Sequence, residues 1–158
     1  MPDVIKPLPQ TTKGLLKVIQ SVGCFFRSAQ AIAEMEVGKT LSIVQINSMW
    51  MWARTAGFID DNNLMKASAP IANKTLDVLG VRNKKFYEVA TSERGVPTFY
   101  KSIPQSLRNP KYFIRKIRNQ FNGTHFLVVD SEGKTIFDPD NSAEEVREIY
   151  TILYSVGK

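Results

Sequence analysis

The sequence predicts an α+β domain in which N-terminal helices pack on one face of a C-terminal antiparallel sheet. Three observations carry that expectation. Apolar residues recur at helical spacing in the stretches between residues 24 and 79. From Lys85 to Asp138 the chain changes to short β-branched and aromatic runs, "KFYEVAT", "YFIRKIR", "HFLVV" and "KTIFD", separated by turn signals. Helical stretches come first and strands second, the order of an α+β domain.

Each element follows from local chemistry. Residues 1–11 read as a Pro-containing extended arm, and 13–20 ("KGLLKVIQ") as a short apolar segment leading into the single cysteine. Residues 24–36 predict a helix: Phe25, Ala29, Ile32 and Ala33 share a face, and Gly38 is a suitable stop. Residues 41–56 predict a second, capped by Thr40 or Ser42, with Ile43, Ile46, Trp50 and Ala53 on one face. The polar "DDNN" at 60–63 ends it as a turn. A third spans 70–79, with Pro70 in its first turn and Gly80 at its C-terminal cap. Strands are expected at 85–91, 125–129 and 134–138, the last two joined by the tight turn "SEG". Residues 92–110 carry three prolines and read mostly as loop. The run 112–118 is ambiguous. Phe113, Ile117 and Phe121 fit a helix, whereas its β-branched and aromatic content and the "NG" at 122–123 fit a strand and turn; we take it as a strand. Residues 142–154 are expected to close the chain as a helix, with Ser142 and Glu145 at capping-box spacing.

Composition narrows the function classes. A chain of 158 residues, 43% hydrophobic and 23% charged, suits a single globular domain spanning residues 1–158. One cysteine and one histidine exclude an internal disulfide and a Cys/His zinc site, so no cofactor or metal is expected. "DDNN" lacks the alternating ligands, central Gly and distal Glu of a calcium loop. The N-terminus has no basic segment followed by an apolar stretch, and no run approaches the roughly 18 apolar residues of a membrane span. A cytoplasmic protein is therefore expected, leaving the cell only by lysis or a non-Sec route. The "NKT" and "NGT" sequons are then chance matches. Net charge is +6, with basic residues gathered in 82–85 and 108–118. Such a surface suits anionic polymers, or is simply a solvated basic face. In "MWMWARTAGF" (49–58), two tryptophans two positions apart point to different helix faces, for packing or for a ligand.

The chemistry centres on the single cysteine and the single histidine. Cys24 follows Gly23 at the start of a predicted helix, where free N–H groups and the helix dipole favour a thiolate and an oxyanion. Elsewhere a free cysteine is usually a buried core residue. His125 opens an apolar strand after a glycine turn. A hairpin centred in "DSEG" brings His125 and Asp138 close to cross-strand neighbours, so that Asp138 can orient the imidazole toward Cys24. Asp140, otherwise a turn residue after Pro139, is the nearby alternative.

The order of a Cys at a helix start, a distant "HFLVV" and a "DPD" after a hairpin resembles the papain-like cysteine peptidase superfamily, most closely its C39-like branch. "HFLVVDSEGKTIFDPD" carries most of the likeness, and residues 20–30 the rest. The chain also resembles small bacterial proteins carried on phage and plasmid DNA. The resemblance implies a papain-like fold, Cys24 as nucleophile, His125 as general base and Asp138 as the orienting residue. Gln20 stands for the family's oxyanion-hole glutamine, four residues before the cysteine. That is closer than usual, and Val18 occupies the position six ahead. The bulky "FFRS" after Cys24 also departs from the small residues common there; Arg27 is expected to bind an acidic group or to pair on the surface. The implied activity is hydrolysis of a peptide, protein or cell-wall peptide amide. Two alternatives stand beside it: a non-catalytic papain-like module that binds a peptide or host protein, and nucleic-acid binding, which only charge supports.

Overall fold

The computed structural model describes residues 5–140 and 144–158. Four helices come first: α1 (Lys17–Val22), α2 (Cys24–Val37), α3 (Ile43–Ala56) and α4 (Ala69–Val78). Six strands follow: β1 (Lys85–Glu93), β2 (Val96–Phe99), β3 (Tyr112–Asn119), β4 (Thr124–Val129), β5 (Thr135–Phe137) and β6 (Glu145–Gly157). They form one sheet in the order β2-β1-β6-β3-β4-β5, every neighbouring pair antiparallel. The architecture is mixed α+β. No helix among the described residues is long and apolar enough to cross a membrane.

Local signals account for the helices. Gly38 ends α2 in the left-handed region, φ 78°, as its missing Cβ allows. Of the two candidate caps for α3, Ser42 acts: it forms a capping box with Gln45. Pro70 lies in the first turn of α4. Trp50 is buried against Phe26, whereas Trp52 packs on Phe58 at the surface beneath Lys74. Asn73 of the "NKT" sequon exchanges both amide bonds with the backbone of Phe86, which commits its side chain to structure.

Two expectations are corrected. The segment 92–110 is loop and turn over about half its length, but it also holds β2 and a 3-10 turn, Gln105–Leu107, that were not expected. The closing helix expected over 142–154 is instead strand β6 from Glu145 to Gly157, the capping Ser142 lying outside the described residues. β6 lies between β1 and β3, so both of its hydrogen-bonding edges are occupied. Residues 151–155 are all buried, because helices cover one face and the 99–107 region the other. A strand buried on both faces loses polar alternation, and its continuous apolar run can be mistaken for a helix.

The core lies between the helices and the sheet, and α2 is its centre. Nine consecutive residues of α2, Phe26 to Glu34, are buried. Among them is an ion pair: the Arg27 guanidinium contacts Glu34 at 3.0 Å with both side chains fully enclosed. Arg27 also donates to Gln30 Oε1 at 2.6 Å and, from Nε and Nη2, to the Leu8 carbonyl at 3.0 and 2.8 Å. Glu34 accepts from the Leu41 N–H at 3.0 Å. One helix thus holds the N-terminal arm on one side and the entry to α3 on the other. Burial lowers the Arg27 pKa and raises that of Glu34, while their mutual attraction opposes both shifts. Far from pairing on the surface, Arg27 is a structural residue. At the last turn of α2, Glu36 accepts from Lys84, Lys111 and the Tyr112 hydroxyl, tying the helix to the start of β1 and β3. Burial alone would raise its pKa; these three donors outweigh it and hold the carboxyl below the usual range.

Removing one member of the Arg27–Glu34 pair leaves the other charged and unpartnered in the core. Arg27→Met is expected to cost about 3–5 kcal/mol, and the double variant Arg27→Met/Glu34→Leu distinctly less. Urea unfolding of the two variants measures the difference.

Candidate active site

Gly23 sets the geometry. It separates α1 from α2 and donates its N–H to the Ile19 carbonyl at 2.8 Å. A Cβ at this position would lie 2.4 Å from that carbonyl oxygen, so only glycine allows the two helices to meet so closely. The Gly23 carbonyl accepts the first bond of α2, from Arg27 N–H at 2.8 Å. The Gln20 carbonyl, one turn before Cys24, accepts from the buried Gln10 side chain at 3.1 Å. Gln10 N–H in turn donates to Pro139 O at 2.8 Å, next to Asp138. The arm therefore contacts the turn before Cys24 and braces the aspartate loop at the same time.

His125 stands on β4, opposite Ile117 of β3, and is 5% exposed. Its Nε2 lies 2.6 Å from Asp138 Oδ1, which also accepts the Asp140 N–H at 3.0 Å. Asp138, not Asp140, contacts the ring; Asp140 supports it through its backbone. The Asp130 side chain closes the hairpin by accepting from Glu132 and Lys134, and Gly133 takes φ 84°. A bulge shifts the β4–β5 register between Val128 and Val129. By the Val128–Phe137 pairing, Asp138 falls beside Leu127, so it reaches His125 diagonally rather than directly across.

Cys24 lies near enough to act on the ring's charge. Burial works against an imidazolium here. The hydrogen bond to Asp138 and the influence of Cys24 and the Asp138 charge outweigh it, and the His125 pKa is pushed up to about 9. At neutral pH the ring is therefore a cation between two anion-forming groups. Thus Cys24, His125 and Asp138 come together. Gln20, in α1, turns its amide Nε2 to the Leu15 carbonyl at 2.8 Å.

Beside Cys24 opens a cleft of about 480 Å³. Its walls include Phe25, Phe126, Trp50, Leu64, Tyr150 and Lys116. Phe25 and Phe126 stack with centroids 4.1 Å apart, so the bulky residue after the nucleophile joins α2 to β4. Gln10, Lys116 and Tyr150 were not singled out from the sequence, because only long-range packing brings them here. Much of the basic character is internally paired: Lys84 and Lys111 with Glu36, Arg115 with Glu145 and Glu148, Arg82 with Asp77. No protein-family model, curated protein or solved structure matches the chain.

The His125 shift has a stability consequence. A folded pKa of about 9 above an ordinary 6.5 means that the protonated ring favours the native state. That contribution is full below about pH 6.5 and is lost as pH rises through about 9. Thermal unfolding across this window is expected to show Tm falling with pH, and His125→Ala to flatten the slope. An unchanged slope in the variant would assign the dependence to other groups.

Proposed function

We propose that the chain is a papain-like thiol hydrolase, a peptidase or amidase acting on a peptide or peptidoglycan amide. The observation that carries this reading is the meeting of three residues: His125 Nε2 lies 2.6 Å from Asp138 Oδ1, and Cys24, the first residue of α2, acts on the same ring. The order of elements and the C39-like likeness around "HFLVVDSEGKTIFDPD" agree with it.

In this mechanism the Cys24 thiolate attacks the amide carbonyl carbon. A C–S bond forms and the carbonyl electron pair moves to oxygen. The Cys24 N–H stabilises that oxyanion from the start of α2. The His125 imidazolium gives its proton to the leaving nitrogen, the C–N bond breaks, and a thioester remains. Neutral His125 then takes a proton from water, which attacks the thioester; the C–S bond breaks and the thiolate–imidazolium pair is restored. Asp138 keeps the ring oriented and stabilises its charged form throughout. The apolar cleft beside the sulfur would hold the side chain next to the scissile bond.

A second reading, a non-catalytic papain-like module binding a peptide or host protein, is favoured by one observation. The Gln20 amide is engaged with Leu15 O rather than offered to the site.

Alkylation separates the two. Cys24 is expected to react with iodoacetamide at pH 6 well above the rate of free cysteine, which is almost entirely protonated there. His125→Ala should slow this by about tenfold or more, and Asp138→Ala by a smaller factor. Slow labelling that ignores the histidine would sink the hydrolase reading and leave the binding module.

A further inference from the structure

Lys116 is the only charged side chain lining the cleft beside Cys24. It sits in mid-β3, opposite Phe126 of β4 and Tyr150 of β6. Its Nζ lies 5.5 Å from the centroid of each of those rings. Two aromatic rings thus hold the ammonium from either side, a contact that positions a cation without neutralising it. In this strand region Lys111 pairs with Glu36 and Arg115 with Glu145 and Glu148, while Arg118 donates to the Asn122 carbonyl at 3.0 Å. Lys116 has no carboxylate within ion-pair reach among the described residues.

The neighbouring depression gives this charge a direction. It shares Phe25, Met65 and Tyr150 with the cleft and carries two carboxylates, Glu88 and Glu93, against one lysine, Lys66, a net negative lining. Tyr150 therefore stands between a positive compartment next to the nucleophile and a negative one beyond. An anion is attracted on the Cys24 side and repelled past Tyr150.

Resting on the thiol-hydrolase reading, we propose that Lys116 is a specificity residue. It binds a carboxylate of the substrate, a peptide that carries an acidic side chain or terminal carboxylate next to an apolar residue at the scissile amide. The aromatic walls take the apolar group and the ammonium takes the carboxylate. An unpaired cation in a cleft otherwise lined by neutral and apolar groups selects its counter-ion by leaving a neutral analogue without compensation for its desolvation.

The test uses a Cys24→Ala chain, in which no covalent chemistry can occur, with N-acetyl-L-phenylalanine and N-acetyl-L-phenylalaninamide as probes followed by NMR titration. The acid is expected to bind at least about fivefold more tightly than the amide, and added salt should narrow the gap. Adding Lys116→Met, which keeps the aliphatic stem, should bring the two within about twofold, while Lys116→Arg should retain the preference. Equal binding of acid and amide, a preference that survives Lys116→Met, or no binding of the acid overturns the proposal. A parallel measurement on the chain with Cys24 intact compares iodoacetate with iodoacetamide. Lys116→Met should lower the ratio of their rates about threefold or more, the iodoacetamide rate of each protein serving as its own reference, because the His125 cation is common to both proteins. A Lys116-dependent preference for the acid in a protein whose Cys24 proves unreactive would retain the anion subsite and remove the hydrolase reading, so the two failures are distinguishable.

Discussion

A guanidinium can stay charged in a protein core only if nearly every one of its donors is met, since the desolvation cost otherwise exceeds what the ion pair returns. Arg27 meets that condition with Glu34, Gln30 and the Leu8 carbonyl. The consequence reaches beyond α2. The arm is held against the helix at Leu8, which places Gln10 two residues later. Gln10 then takes the Gln20 carbonyl and braces Pro139. Both sides of the site, the turn that leads into Cys24 and the loop that carries Asp138, touch an arm held in place by a charge buried one turn below the sulfur. Such a pair is a poor source of raw stability and a good source of specificity, because an arrangement that breaks it leaves a naked charge inside.

The electrostatics of the site follow from the same economy of partners. His125 is buried, which by itself favours a neutral ring, yet Asp138 and Cys24 flank it and reverse the outcome. Around this pair the surface charge has been sorted. Three of the basic residues that made the composition look suited to a polyanion, Lys84, Lys111 and Arg115, are engaged by Glu36, Glu145 and Glu148. What remains beside the nucleophile is Lys116, held by rings instead of by a carboxylate. The +6 net charge is therefore a weaker guide to function than the position of one lysine.

Elements with local start and stop signals were legible. The helix expected at 24–36 runs from Cys24 to Val37, because the apolar period and the left-handed Gly38 are both written in consecutive residues. Ser42 with Gln45, and Pro70, did the same for α3 and α4. The ambiguous 112–118 proved a strand once its two neighbours were in place. β6 was illegible for the converse reason. "EVREIYTILY" resembles a capped helix to any local test, and it is a strand because β1 and β3 occupy both its edges and apolar residues cover both its faces. The ordered 3-10 turn and β2 within 92–110 likewise depend on packing against the sheet rather than on their own sequence.

At the site, the sequence by itself determined the chemical inventory and one short-range relation. Cys24 follows a glycine at a helix start, and His125 and Asp138 flank one tight turn, so their proximity is a matter of hairpin geometry. Even there the bulge, which converts an opposite pair into a diagonal one, was not written locally. Only the tertiary structure decided that Cys24 meets His125, about a hundred residues away, and that Gln10, Lys116 and Tyr150 surround them. Those contacts are made by burying α2 against β4 and by threading β6 between β1 and β3. Both are outcomes of packing surfaces remote in sequence, and local periodicity carries no information about which surfaces will meet.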